Sequence, residues 1–190
     1  MEINRCSWAY VSPLMQHYHD YEWGNPVYDD LALFSKLMLD AQQAGLSWSI
    51  ILNKREAFLK AFDNFNPFVM ANYDQTKVEE LLANPGIVRN KLKINAMISN
   101  AKLYVKHFSK EGSFSNLIWK HTNFKPVDHK LKSYQEMPTK NDVSDVISNE
   151  LKKLGFKFVG STVVYAFLQA VGVYNDHLVT CHCHKKYQNK

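Results

Sequence analysis

Two Cys/His pairs stand at opposite ends of the chain, Cys6 with His19 and His177 with Cys181. All three cysteines, Cys6, Cys181 and Cys183, lie in these terminal zones of the 190 residues. Two thiolates and two imidazoles make a tetrahedral zinc set of the structural kind. A metal held by all four forces the ends of the chain together. Closing a loop of about 160 residues costs about 4–5 kcal/mol. A structural Cys/His zinc site supplies about 10–16 kcal/mol, so the closure is offset. Spacing alone leaves other readings open. A disulfide from Cys6 to Cys181 or Cys183 would strand one thiol, and the terminal His/Cys run could be a loose tail. Cys183, His182 and His184 are spare ligands beside the fourth position.

The rest of the chain reads as helix after helix. Asp29/Asp30 open a helix with Leu33, Leu37 and Ala41 at four-residue spacing, and Gly45 stops it. Ser47 caps the next, whose apolar face carries Ile51, Phe58 and Phe62. Pro67 suits a first helical turn. Asp74 caps a helix ending at Asn84-Pro85-Gly86, and a long helix follows from about Val88 to Phe108. Ser113–His121 reads as a short helix and 122–141 as a surface connection. Val143, Ile147 and Leu151 mark a further helix that stops at Gly155. Gly160–Gly172 is almost wholly apolar but far short of the ~20 residues of a membrane span, so it reads as a buried helix. The expectation is an all-α single unit over 1–190, in two helical lobes, with the termini joined at the metal.

No basic segment followed by an apolar one opens the chain, which predicts a soluble intracellular protein with no membrane partner. Lys and Arg number 23 against 18 Asp and Glu, giving a net charge of +5. That balance leans toward a polyanionic partner. The 11 Phe, 10 Tyr and 4 Trp include rings on which bases can stack.

Two segments concentrate chemistry. Tyr18-His19-Asp20-Tyr21-Glu22-Trp23-Gly24 and Asp40-Ala41-Gln42-Gln43-Ala44-Gly45-Leu46-Ser47-Trp48 each combine carboxylates with aromatic faces. Ring faces attract cations and a carboxylate accepts from amino groups, so together they suit a flat, cationic or hydrogen-bond-donating ligand. Taken singly, each aromatic fits core packing and each acid a solvated helix face.

These segments, with Arg5-Cys6-Ser7-Trp8, Lys54-Arg55-Glu56, Gly155–Gly160 and Asn175-Asp176-His177, resemble the DNA-3-methyladenine glycosylase I family of the helix-hairpin-helix superfamily. The resemblance runs co-linearly along nearly the whole chain. It implies hydrolysis of the N-glycosidic bond of N3-methyladenine in alkylated double-stranded DNA, with release of the free base and an abasic site left behind. By the same resemblance, Trp48 stacks on the lesion base, Tyr18, Trp8 and Trp23 line its pocket, and Cys6, His19, His177 and Cys181 hold one structural zinc ion. It further implies a cytoplasmic, nucleoid-associated bacterial enzyme that works as a monomer.

Two positions depart from the family pattern. Asp40 stands where the family has a glutamate that binds the amino edge of the base, and its reach is ~1.3–1.5 Å shorter. Met15 stands in place of a pocket tyrosine. Neither dense segment contains a lysine, which favours a monofunctional hydrolase over a lyase. DNA contacts are expected from the helix-hairpin-helix region at about 74–108, through Gly86, Arg89, Lys91 and Lys93, and from the Ala44-Gly45-Leu46 loop. Basic side chains and helix N-termini attract phosphates without reading sequence. A DNA-binding relative with weakened or altered base specificity, because of Asp40, is the competing reading. A zinc deaminase is disfavoured, since its His-x-Glu and Pro-Cys-x-x-Cys signatures are missing.

Overall fold

A computed structural model describes residues 3–186. The order of helices is α1 (Pro13–Tyr21), α2 (Asp30–Gln42), α3 (Trp48–Ala61), α4 (Pro67–Met70), α5 (Gln75–Ala83), α6 (Lys91–Phe108), α7 (Ser113–Trp119), α8 (Asp142–Lys153), α9 (Ser161–Ala170) and α10 (His182–Lys186). Their starts are written in capping side chains. Asp29, Ser47 and Asp74 accept hydrogen bonds from the backbone N–H groups of Ala32, Ile50 and Lys77. Each such cap contributes about 1 kcal/mol. The long helix begins at Lys91 rather than Val88, because the Asn90 side chain caps it by accepting from Lys93 N–H. Ile87 turns into the core just before it.

α1 carries its own signals, with Ser12 as cap and Pro13 at the first position. The surface connection expected over 122–141 is more ordered than that. Val127–Asp128 (β1) pairs in parallel with Tyr174–Asn175 (β2), Val127 opposite Tyr174 and Asp128 opposite Asn175. Leu131 is buried, and its carbonyl accepts from Val179 N–H. The connection therefore straps the C-terminal segment to the helices.

α2 is the central strut, packed against α3, α6, α7 and α9. Leu33, Phe34, Leu37 and Met38 are fully buried among Phe58 of α3, Met97 of α6 and Phe167 of α9. Burying one such side chain is worth about 1.5–3 kcal/mol. A smaller cluster of Met15, Tyr18, Trp23, Leu52 and Ala170 lies beside this core, with Trp8 and Trp48 against it. Among the described residues no helix is long and apolar enough to cross a membrane.

Candidate functional site

α1, β2 and the start of α10 bring the two ends of the chain together. Cys6, His19, His177 and Cys181 are all buried, and their ligand atoms lie within 4.8 Å of one another. Cys181 Sγ is 3.4 Å from His19 Nε2 and 3.7 Å from His177 Nδ1, and Cys6 Sγ is 3.8 Å from His177 Nδ1. The opposite ring nitrogens are engaged elsewhere. His19 Nδ1 meets Asp20 Oδ1 at 2.8 Å, and His177 Nε2 meets the Trp23 carbonyl at 3.2 Å. Arg5 grips Asp20 in turn, Nη2 to Oδ2 at 2.8 Å. Such outer partners fix the tautomer of metal-bound imidazoles. Hydrogen bonds from the Cys183 and Cys6 thiols push Cys181 down toward thiolate. This cluster can hold a metal ion. Of the spare groups, Cys183 is fully buried beside it, whereas His184 is committed to Asp128 at 3.0 Å.

Directly against the cluster lies an aromatic cavity of about 230 Å³. That is below the ~300–1,000 Å³ of pockets for drug-sized ligands, so the space suits a single flat ring system. Trp8, Met15, Tyr18, Trp23, Asp40 and Trp48 line it, with Gln169 and Met137 at one side. α1 contributes Met15 and Tyr18, the end of α2 contributes Asp40, and the first residue of α3 is Trp48. The Tyr18 and Trp48 rings lie 5.2 Å apart. Trp23 joins the two regions, edge-on to His177 at 4.6 Å and to Trp8 at 5.1 Å. All five residues expected in a pocket thus meet in one, and Met15 fills its wall.

Asp40 is 4% exposed. Burial raises its carboxyl above the ordinary value, opposed by the facing ammonium of Lys36. Asp40 Oδ1 bonds Lys36 Nζ, while Oδ2 has no hydrogen-bond partner among the described residues; nor has Trp48 Nε1. Burial, then the nearby Asp40 charge, holds the Tyr18 phenol well above its usual range. Neither dense segment contains a lysine, yet Lys36 reaches the pocket wall at Asp40. It lies outside both dense segments, one helical turn before Asp40. The local signal was there, since residues four apart on a helix face each other. Glu22 does not share the cavity with Asp40. It pairs with Arg55 at 2.5 Å, and both line a neighbouring space of about 520 Å³.

The loop after α2 sits at the cavity edge. Gly45 adopts φ +77°, a left-handed turn open to solvent, and Ala44, Gly45 and Leu46 line a recess that shares Asp40 and Gln43 with the aromatic cavity. Gly86, Arg89 and Lys91 lie apart from it, in the turn between α5 and α6. Arg89 and Lys91 are exposed. The Gly86 N–H donates to Asn84 Oδ1 at 2.8 Å, and Lys54 Nζ donates to the Pro85 and Gly86 carbonyls. Any Cβ at Gly86 would meet Ala57 Cβ at 3.0 Å. Lys93 does not face outward as expected. It is buried, and its ammonium donates to the Gln42 and Ala44 carbonyls at 2.7 Å each. The start of α6 is thereby tied to the loop at the cavity edge.

A profile of the methyladenine glycosylase family matches residues 8–184. The DNA-3-methyladenine glycosylase 1 of Escherichia coli is 41% identical over 182 residues, covering 96% of this chain and 97% of the relative. A crystal structure of a 3-methyladenine DNA glycosylase I superposes with a TM-score of 0.92 at 42% identity, covering 95% of this chain and 100% of the other. A structure of the Staphylococcus aureus enzyme, concerned with its recognition of 3-methyladenine, superposes with a TM-score of 0.90 at 38% identity, covering 95% and 96%.

Proposed function

The chain belongs to the methyladenine glycosylase family, and from that premise we infer that it is a DNA-3-methyladenine glycosylase. It hydrolyses the N-glycosidic bond of N3-methyladenine in alkylated DNA, releasing the base and leaving an abasic site. Alkylation at N3 puts positive charge on the purine, so the leaving group is already activated. The remaining tasks are to extrude the nucleotide from the stack, to hold the cationic ring, and to let water reach C1′. Trp48 offers a ring face to the base. Tyr18, Trp8 and Trp23 close the space around it and exclude other water. Asp40 Oδ2 accepts from the amino edge of the base. The lysine near the pocket is committed to Asp40, in keeping with hydrolysis rather than lyase chemistry.

The observation that carries this reading is the buried carboxylate oxygen of Asp40, without a hydrogen-bond partner among the described residues, at the wall of an aromatic cavity. A buried acceptor left without a partner costs about 1–3 kcal/mol, which a base amino group relieves.

DNA is gripped by the hairpin of the 74–108 region, through Arg89, Lys91 and the turn at Gly86, while Gly45 and Leu46 enter the duplex where the base leaves. The exposure of Arg89 and Lys91, and the Lys93 tether to the loop, support this division of labour. The metal is one structural zinc ion. For two thiolates and two imidazoles at usual zinc bond lengths, ligand S···N separations are about 3.6 Å, and the separations of 3.4–3.8 Å agree. With four protein ligands the ion has no open position for chemistry. The chain acts as a single unit and monomer in the bacterial cytoplasm, at the nucleoid.

Release of free 3-methyladenine from methylated duplex DNA tests the reading. Release above a no-enzyme control is expected. DNA binding without release would instead make the protein a binding relative that has lost turnover.

A further inference from the structure

Lys36 is bound on two sides. Its Nζ pairs with Asp40 Oδ1 and lies over the Trp48 ring, 4.2 Å from the centroid. It also lies 5.7 Å from the Tyr18 ring. It reaches this place from the 520 Å³ space next door, whereas Asp40 lines the aromatic cavity. The ion pair therefore crosses the wall between the two spaces. A carboxylate as enclosed as Asp40 gives up its charge unless a counter-ion faces it.

The other ionisable groups around the pair do not supply that counter-ion. From α1 comes the Tyr18 phenol. Glu22, just beyond α1, and Arg55 of α3 are bonded to each other. Lys93 of α6 is spent on two backbone carbonyls. α9 presents Ala166 and Gln169, which do not titrate.

We propose that Lys36 is a positioning residue for base recognition: its ammonium holds Asp40 as a carboxylate and ties down Oδ1, so that Oδ2 is kept as the acceptor for the base. The proposal rests on the reading of Asp40 as that acceptor. Lys36 also spans the three side chains of the recognition surface, fixing the carboxylate relative to the Trp48 face. It never touches the base.

The test is the ionisation of Asp40, read by carboxyl 13C NMR, together with the pH profile of kcat/KM for 3-methyladenine release. In Lys36→Met the titration midpoint of Asp40 and the acid limb of the profile both move up by about 1–3 pH units. Activity lost in acid returns as the pH rises. Lys36→Arg keeps the limb near its wild-type position, whatever it does to the rate. An Asp40 midpoint in Lys36→Met equal to the wild type overturns the proposal. Should Lys36→Met not fold, Lys36→Gln carries the same measurement. Asp40→Ala separates the role of Asp40 from that of Lys36. Full release by a folded Asp40→Ala enzyme, whose side chain has no acceptor, removes the acceptor role of Asp40 and Lys36's role with it. Loss of release in Asp40→Ala, with an unmoved midpoint in Lys36→Met, removes only Lys36.

Discussion

The terminal Cys/His cluster and the aromatic cavity share a wall, yet their key side chains are held differently. Around the cluster the two imidazoles are held by outer partners: His19 to Asp20, Asp20 to Arg5, and His177 to the Trp23 carbonyl. At the cavity Asp40 Oδ2 and Trp48 Nε1 have no hydrogen-bond partner among the described residues. Metal-ligating imidazoles gain from fixed outer partners, which set their tautomer and orientation. A region that receives a ligand leaves some groups unsatisfied, and the ligand completes them. Trp8 and Trp23 lie between the two, so the cluster holds the cavity wall in shape.

The largest effect should come from breaking the cluster. Cys181→Ser is expected to lose bound zinc, measured by metal analysis. Losing the loop closure alone, about 4–5 kcal/mol, lowers Tm by about 10–20 °C in a protein of this size. An unchanged Tm in metal-free protein would deny the cluster its structural role. Trp48→Ala should act on the other side of the comparison. Stacking on an aromatic is worth about 1–3 kcal/mol per base, so binding of free 3-methyladenine should weaken by about 5–150-fold while zinc content stays constant. A fall in Tm with base binding intact would make Trp48 a core residue instead. The smallest effect belongs to the hairpin. Arg89→Ala and Lys91→Ala should weaken DNA binding alike on methylated and unmethylated duplexes, each reducing the salt slope by about 1, with free-base binding untouched.

Much of the helical frame was legible because caps are local. Asp29, Ser47 and Asp74 each announce a helix and each accepts the expected hydrogen bond. α1 was harder, although Ser12-Pro13 marks its start. Its inward face carries Met15, Tyr18 and His19, a pocket wall and a metal ligand, so no apolar stripe shows at helical spacing. The β1–β2 pairing joins residues 47 apart in sequence, and no local signal records it. In the site, the aromatics and Asp40 stood out as dense segments. Lys36 and Lys93 did not, since a lysine on a helix normally faces water. Only the packing of α2 against α3, and of α6 against the loop after α2, turns them inward.

The closure between chain ends has a consequence for synthesis. His177 follows His19 by 158 residues, and at about 5–20 residues per second the ribosome delivers it about 8–30 s later. Until then α1, with Tyr18 beside His19, lacks the ligands that anchor it. A nascent chain can thus form its central helices early, while the recognition surface waits for one of the last segments made. Truncated products would carry the helical frame without the clasp that shapes the cavity.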